Sequence, residues 1–300
     1  MERFIFQDIT KFVDYVPTAL GSDLNELKPF LEEAEISLRT ELIGAPLYYR
    51  IAQIAGGEPQ AMIFDGVFDY TFDESIPPAD ILKAAQRVVC LKAYLSAIPF
   101  VDLIQTPNGF AVVNNSNQAP ASRERVERLL ESVSLRLTQA LDFLILFAAS
   151  YSVFRQLWQK ETGLFNRHTE IVYWTTDELQ KYSNQKRLRY SDLRSAHPLV
   201  LDLQSQTAQT VSNDYLNELI DKRRNAALNL QDRRVLERVK QIVGLKLQKI
   251  DSYPLTEQLA NYLAARPSDF STYFASQEYR LKIKRPYENK KSDPTFFFNG

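Results

Sequence analysis

The chain has 300 residues, a hydrophobic fraction of 45% and a formal net charge of −1, from 36 basic and 37 acidic residues. This composition allows a buried core for one large domain or two ordinary ones, and the balanced charge argues against a chain that coats nucleic acid with its whole surface. The single cysteine, Cys90, excludes a disulfide within these residues, and its apolar helical context predicts a buried side chain.

The sequence of the N-terminal part predicts helices that are separated by glycine and proline residues. A helix up to Gly44 carries one apolar stripe, because its apolar residues recur at steps of three and four. The stripe consists of Leu27, Leu31, Ala34, Leu38 and Leu42. A short helix follows as far as Gly56, and Ala79–Ile98 predicts a stronger one.

Two places predict small β elements. Asp65-Gly66 joins two β-rich runs between Met62 and Phe72, which indicates a hairpin. Asn108-Gly109 predicts a turn, and the run from Phe110 to Val113 predicts a short strand. A polar loop follows it, and Ser122 is placed to cap a long helix that begins at Arg123.

The long helix leads into the most apolar stretch of the chain, Phe143–Phe154. Its length of about 12 residues is short of the roughly 20 that a bilayer needs. We therefore expect a core helix, no membrane partner, no signal sequence and a soluble intracellular protein.

The second half predicts further helices at Arg233–Ile250 and from Pro254 to Pro267, and then a tail without periodicity. Short segments of the two halves match in the same order, such as "VVCLK" with "IVGLK" and "LTQAL" with "LTEQL". We predict a mainly α fold of two similar helical-bundle modules, an internal duplication, with small β insertions. The modules would cover residues 1–160 and 161–275, and residues 276–300 would form an extended C-terminal tail.

The usual catalytic and metal-binding patterns are absent from the sequence, which has only two histidines, His168 and His197. His197 precedes a proline at a predicted helix start, where a structural role is expected. Glu32, Glu33 and Glu35 form a charge run typical of a solvated helix face. We predict no enzyme and no catalytic, cofactor-binding or metal-binding residue.

Two segments are candidates for partner contacts. The strand and loop after Gly109 offer apolar and amide side chains that could add to a neighbour's sheet edge. The tail combines a basic run with three consecutive phenylalanines, which are expected to dock on protein. The partner-contact candidates are Phe110, Val112, Asn114, Asn115, Asn117, Gln118, Phe296, Phe297 and Phe298. The candidates for facing DNA or phosphate are Arg280, Lys282, Lys284 and Arg285.

Three segments of the chain carry a resemblance to a known family. They are Leu27–Ile51, Gly109–Leu129 and the phenylalanine-rich end with Asn299-Gly300. With them the chain resembles virion structural proteins of tailed bacteriophages and prophages, which are similar to head–tail connector proteins, the adaptors that complete the head. The resemblance implies a homo-oligomeric ring beneath the portal, with the symmetry of the portal. It also implies contacts with portal, tail or other ring proteins and DNA in the channel, and a place at the head–tail interface of a virion assembled in the host cytoplasm.

Other interpretations stay open. A minor capsid or tail-completion protein belongs to the same assembly class. A nucleic-acid-binding module would use the basic tail, and its affinity would fall steeply with salt. A helical enzyme would need two carboxylates buried together in a cleft.

Overall fold

The computed structural model describes residues 5–6, 9–16, 24–56, 78–101, 103–106, 109–112 and 122–283. The chain is mainly α-helical, as predicted. Its contacts divide it into two compact units, Met1–His197 and Pro198–Gly300. The division falls inside a helix, whereas the sequence predicted a module boundary after residue 160.

The first unit is a bundle in which α4 packs along α5 and α2. Its helices are α1 (Phe12–Tyr15), α2 (Lys28–Ser37), α3 (Gly44–Ala55), α4 (Pro78–Val101), α5 (Arg123–Ser150), α6 (Ser152–Gln159), α7 (Thr162–Thr169) and α8 (Thr176–Ser183). The 3₁₀ turns Ile9–Lys11 and Leu24–Leu27 precede α1 and α2, and a π-helical turn, Leu38–Ile43, joins α2 to α3.

Helix α9 (Tyr190–Val211) contains the division, with Pro198 in its interior. The second unit continues with α10 (Asn213–Arg224), α11 (Leu230–Leu247), α12 (Tyr253–Ala264), α13 (Ser271–Ala275) and α14 (Gln277–Ile283). Asn229 caps α11 in a reciprocal capping box with Asp232. The predicted extended tail therefore begins as a helix, and residues 284–300 lie outside the described part.

Two strands, β1 (Leu103–Thr106) and β2 (Gly109–Val112), form an antiparallel pair in which Leu103 lies opposite Val112. Strand β2 lies where the sequence predicted a strand from Phe110 to Val113. The predicted hairpin between Met62 and Phe72 lies outside the described residues.

The predicted apolar stripe is the core face of the α2 segment. All five of its residues, from Leu27 to Leu42, are buried, and so is Cys90 on α4. Together with apolar residues of α5 and α6 they form one hydrophobic cluster. Burial of this kind is the main stabilising term for such a bundle.

Four local expectations need correction. Glu35 is not on a solvated face but is buried, because its carboxylate binds backbone N–H groups of the N-terminal segment. His197 lies within α9 and not at a helix start. Ser122 stands at the N-cap of α5 but its side chain makes no capping hydrogen bond. The stretch Phe143–Phe154 is no continuous core helix, because α5 ends at Ser150.

Candidate functional site

Of the contact candidates that the sequence singled out, the structure describes two in the first unit and two in the second. Phe110 and Val112 lie on β2, where they pair with Gln105 and Leu103. Arg280 is exposed on α14, and the backbone of Lys282 continues that helix. The remaining candidates lie outside the described residues: Asn114, Asn115, Asn117, Gln118, Lys284, Arg285, Phe296, Phe297 and Phe298.

The first unit contains a cavity of ≈ 300 Å³ between α2, the π-helical turn, α4, α5 and the start of α9. Its walls are mostly apolar and are formed by Ala34, Leu38, Leu42, Val88, Leu95, Leu137 and Leu141. The polar lining residues are Ser37, Glu41, Lys92, Ser134, Thr138, Arg189, Tyr190 and Ser191. Apolar walls with a few polar groups are typical of sites that bind an apolar group in a fixed orientation.

One wall is the π-helical turn, a geometry that recurs at functional sites. Side chains from outside the turn bind two of its carbonyl groups. The indole Nε1–H of Trp158 donates to the carbonyl of Leu42 at 2.9 Å. The His168 Nε2 lies 3.1 Å from the carbonyl of Glu41. Buried side chains of α6 and α7 thus hold the turn in place.

These contacts define the tautomer of His168. A carbonyl oxygen only accepts hydrogen bonds, so Nε2 carries the hydrogen and Nδ1 accepts from the Tyr190 hydroxyl at 2.7 Å. Burial lowers the pKa of His168 to about 4, and the imidazole is neutral near pH 7. Because Tyr190 lines the cavity, one hydrogen-bonded chain connects the cavity wall to the turn.

Charged side chains lie together at the exposed side of the cavity. Ser37 donates to the carboxylate of Glu41 and contacts the ammonium group of Lys92, which lies 3.4 Å from the same carboxylate. The Ser37 hydrogen bond and Lys92 lower the pKa of Glu41, so it stays ionised. The Ser37 hydroxyl is therefore a bridge between two charges.

Buried carboxylates elsewhere are each occupied by backbone donors. Glu35 accepts from the N–H groups of Ile5 and Phe6 and from the Tyr48 hydroxyl. Asp142 on α5 accepts from the backbone at the first turn of α8 and from the Thr176 hydroxyl. Burial raises the pKa of both carboxyl groups, because the protein interior disfavours their charged form.

In the second unit, Asp232 is buried as well, where it accepts from the Tyr215 hydroxyl and from Lys222 at 3.0 Å. It also belongs to the capping box of α11. Within the part of the chain that the structure describes, no group of three or more His, Cys, Asp or Glu side chains is placed to hold a metal ion.

A second, open cleft lies on the surface of the first unit. Its uncharged lining residues are Tyr15, Ala84 and Phe143. Its charged lining residues are two acidic and three basic side chains: Asp14, Asp80, Lys83, Arg87 and Arg136. Mixed charges of this kind define no single ligand. What distinguishes the cleft is the exposed phenyl ring of Phe143 at its edge.

Helix α5 exposes apolar side chains on its outer face. Phe143 is 55% and Leu146 is 43% exposed, although they lie one turn apart on a helix whose other side is core. By length and composition alone this helix could cross a membrane, but the same test is passed by core helices, and buried Asp142 lies in its middle.

Sequence reasoning missed the cavity. Its polar residues Ser37, Glu41 and Lys92 lie in helical segments that were read only for their apolar periodicity. A signal was present, because Ser37 and Glu41 are four residues apart beside the stripe and are neighbours on a helix. His168 and Tyr190 gave no such signal, since tertiary packing alone brings them to the turn.

The model of a family of unknown function, DUF6712, matches residues 40–159. The match extends from the π-helical turn to the end of α6 and includes Lys92 and Trp158. It covers less than half of the chain. No curated protein matches the chain, and no solved structure matches it either.

Proposed function

We propose that the chain is a non-enzymatic virion assembly protein, a head–tail adaptor that forms a homo-oligomeric ring between portal and tail. Its partners would be further copies of itself, the portal protein, tail or other ring proteins, and DNA in the channel. The resemblance carried by Leu27–Ile51 and Gly109–Leu129 is the starting point of this proposal.

The observation that carries the proposal is the outer face of α5. Phe143 and Leu146 present apolar surface next to the cation Arg136. Aromatic side chains and arginine are enriched in protein interfaces and supply much of their binding energy. A ring needs such a patch on each copy to pack against a different surface of the next copy.

The β1–β2 pair offers a second contact. The described sheet has two strands, so each strand has one edge without a described partner strand. An exposed strand edge can accept a strand from a neighbouring chain. In this proposal the β1–β2 pair and the polar loop that follows β2 contact the portal protein or a neighbouring copy.

The buried carboxylates support a non-enzymatic role. A catalytic acid or base needs a free position toward a substrate. The carboxylate oxygens of Glu35 and Asp142 instead accept hydrogen bonds from backbone N–H groups. These bonds hold the N-terminal segment and α8 in place.

The internal duplication belongs to this proposal too. The matching segments "VVCLK" and "IVGLK" lie in the long helices α4 and α11, and both contribute buried residues. The duplication predicts that the helices around these two segments superpose in the same order. A different helix order would contradict it.

Replacing the two exposed residues of α5 tests the proposal. We expect the double variant Phe143→Ser/Leu146→Ser to lower the mass in sedimentation velocity from a ring to smaller species, with unchanged helical circular dichroism. The matched control is Ser132→Ala/Gln139→Ala, which changes exposed polar residues of the same helix. Equal masses for both variants and the unmodified chain would remove the main support for the proposal.

A further inference from the structure

We infer that Arg238, Arg266 and Tyr262 in the second unit form a site that binds the phosphate groups of double-stranded DNA. The inference rests on the proposed function, because DNA is one of the partners proposed there. The site belongs to α11, to the end of α12 and to the residues directly after α12, and not to the basic run of the tail. The proposed ring can be correct even if this site binds nothing.

Two guanidinium groups share one tyrosine ring. The guanidinium carbon of Arg266 lies 4.1 Å from the centre of the Tyr262 ring, and that of Arg238 lies 5.4 Å from it. Arg238 belongs to α11, whereas Tyr262 lies near the end of α12 and Arg266 follows that helix. Packing of the two helices therefore brings two cations to the same ring, which attracts each of them.

Other contacts hold this arrangement in place. The Tyr262 hydroxyl donates to the side-chain amide oxygen of Gln231, and its ring lies 5.9 Å, centre to centre, from the ring of buried Phe270. The guanidinium group of Arg266 donates to the backbone carbonyl of Tyr262 at 3.2 Å. The site is therefore ordered before any ligand binds, which reduces the entropy lost on binding.

No carboxylate balances these two cations within the described residues. In that part of the chain, neither Arg238 nor Arg266 forms an ion pair, and the neighbouring carboxylate of Glu237 lies 3.5 Å from Lys240. Guanidinium groups stay charged in proteins, so the pair keeps two positive charges. Exposed Arg234 lies one helical turn before Arg238 and adds a third. Such a cluster is the electrostatic footprint of a site for a polyanion.

The charge of the second unit also favours an anionic partner. Basic residues outnumber acidic ones within residues 198–300, whereas acidic residues outnumber basic ones within residues 1–197. The balanced charge of the whole chain therefore conceals an excess of positive charge in the unit that holds this site. An excess of this kind attracts the DNA backbone and releases its bound counterions.

The geometry favours contacts with phosphate groups and not with bases. A planar guanidinium group presents several N–H donors, which match the oxygens of a phosphate group. The Tyr262 ring already contacts Phe270 and both guanidinium groups, so it is not free to stack on an unpaired base. The site should therefore bind duplex DNA without preference for sequence.

Fluorescence anisotropy of the full chain with a short labelled DNA duplex tests the site. We expect Arg238→Gln/Arg266→Gln to weaken binding about tenfold or more at low salt, because two phosphate contacts are lost. The slope of log Kd against log salt concentration should fall by about two. The matched control is Lys186→Gln/Lys249→Gln, which removes two exposed cations away from Tyr262 and should leave both quantities nearly unchanged.

A variant that keeps the charges separates phosphate binding from a structural role. Arg238→Lys/Arg266→Lys retains both cations and should keep most of the affinity and of the salt dependence. Equal losses in the lysine and glutamine variants, or equal binding by the glutamine variant and the control, would overturn the inference. Calorimetry that detects binding of inorganic phosphate by a chain that does not bind the duplex would overturn it as well.

The solution mass of the same variants separates this inference from the proposed function. We expect Arg238→Gln/Arg266→Gln to form the same oligomer as the unmodified chain, because the two arginines contact DNA and not a neighbouring copy. A ring that does not bind the duplex would overturn the inference and leave the proposed ring intact. A monomer whose DNA binding depends on the two arginines would support the inference and contradict the proposed ring.

Discussion

Single buried polar residues hold the first unit together at points where backbone groups would otherwise lack partners. Glu35 holds the N-terminal segment, Asp142 holds the first turn of α8, and Trp158 and His168 hold the π-helical turn. In each case a side chain supplies the hydrogen bonds that regular secondary structure cannot supply. Loss of such a partner costs more than the bond itself contributes, because the remaining group stays buried and unsatisfied.

Glu35 provides the first test. The variant Glu35→Ala leaves two backbone N–H groups and the Tyr48 hydroxyl without their acceptor, so the free energy of unfolding should fall by about 2–3 kcal/mol. Urea unfolding measures this change. Glu33→Ala, at an exposed position of the same helix, should stay within about 0.5 kcal/mol of the unmodified chain. Equal effects of the two variants would refute the role of Glu35.

His168 provides a test by pH. Its pKa is about 4 in the folded chain and near 6.5 in the unfolded chain. As pH falls below about 6.5 the unfolded chain takes up the proton first, so this stability is lost between pH 6.5 and 4 and no further below. The loss amounts to about 3 kcal/mol for a shift of this size.

Comparison with the variant His168→Gln isolates that contribution, because the other titrating groups, including His197, are the same in both proteins. The difference in unfolding free energy between the two proteins should be largest at neutral pH. It should shrink steadily toward pH 4.5. A difference that stays constant over this range would contradict the low pKa.

At the scale of elements, the junction between the π-helical turn and α3 is the most constrained point. Gly44 has φ +75 and ψ 164, a conformation that is essentially restricted to glycine. A Cβ atom added at Gly44 would lie 2.3 Å from the Cγ of Glu161. The sequence predicted that a helix ends at Gly44, and the structure confirms it. Helix α2 continues into the π-helical turn, which ends at Ile43, directly before Gly44.

We expect Gly44→Ala to lower the free energy of unfolding by about 2 kcal/mol or more. Adding Glu161→Ala should recover only part of this loss, because it removes the steric contact and not the backbone strain. Gly163→Ala is the matched control; it meets no atom within 4 Å and lies in helix α7, so it should be neutral or slightly stabilising. Thermal unfolding of the four proteins distinguishes these effects.

The elements also show which features a sequence can predict. Helices α4 and α11 follow from local apolar periodicity, and their cores are buried as that periodicity indicates. The π-helical turn could not be predicted, because its carbonyl partners Trp158 and His168 come from residues more than a hundred positions away. The cavity could not be predicted for the same reason, since its walls are assembled only by packing.

At the scale of the whole molecule, the two units make different contributions to the proposal. The first unit, Met1–His197, carries the exposed face of α5, the hairpin and the cavity. The second unit carries exposed Tyr253 and Leu230 and leads to the phenylalanine segment at Phe296–Phe298. We propose that a ring uses surfaces of both units, because a contact that generates a ring joins different surfaces of neighbouring copies.

The mass of the purified chain in solution tests this account most directly, measured alone and after addition of a candidate portal protein from the same genome. The account predicts a ring-sized oligomer, or a shift from smaller species to a ring when portal is added. A monomer under both conditions, with no binding to portal, would contradict the proposed adaptor.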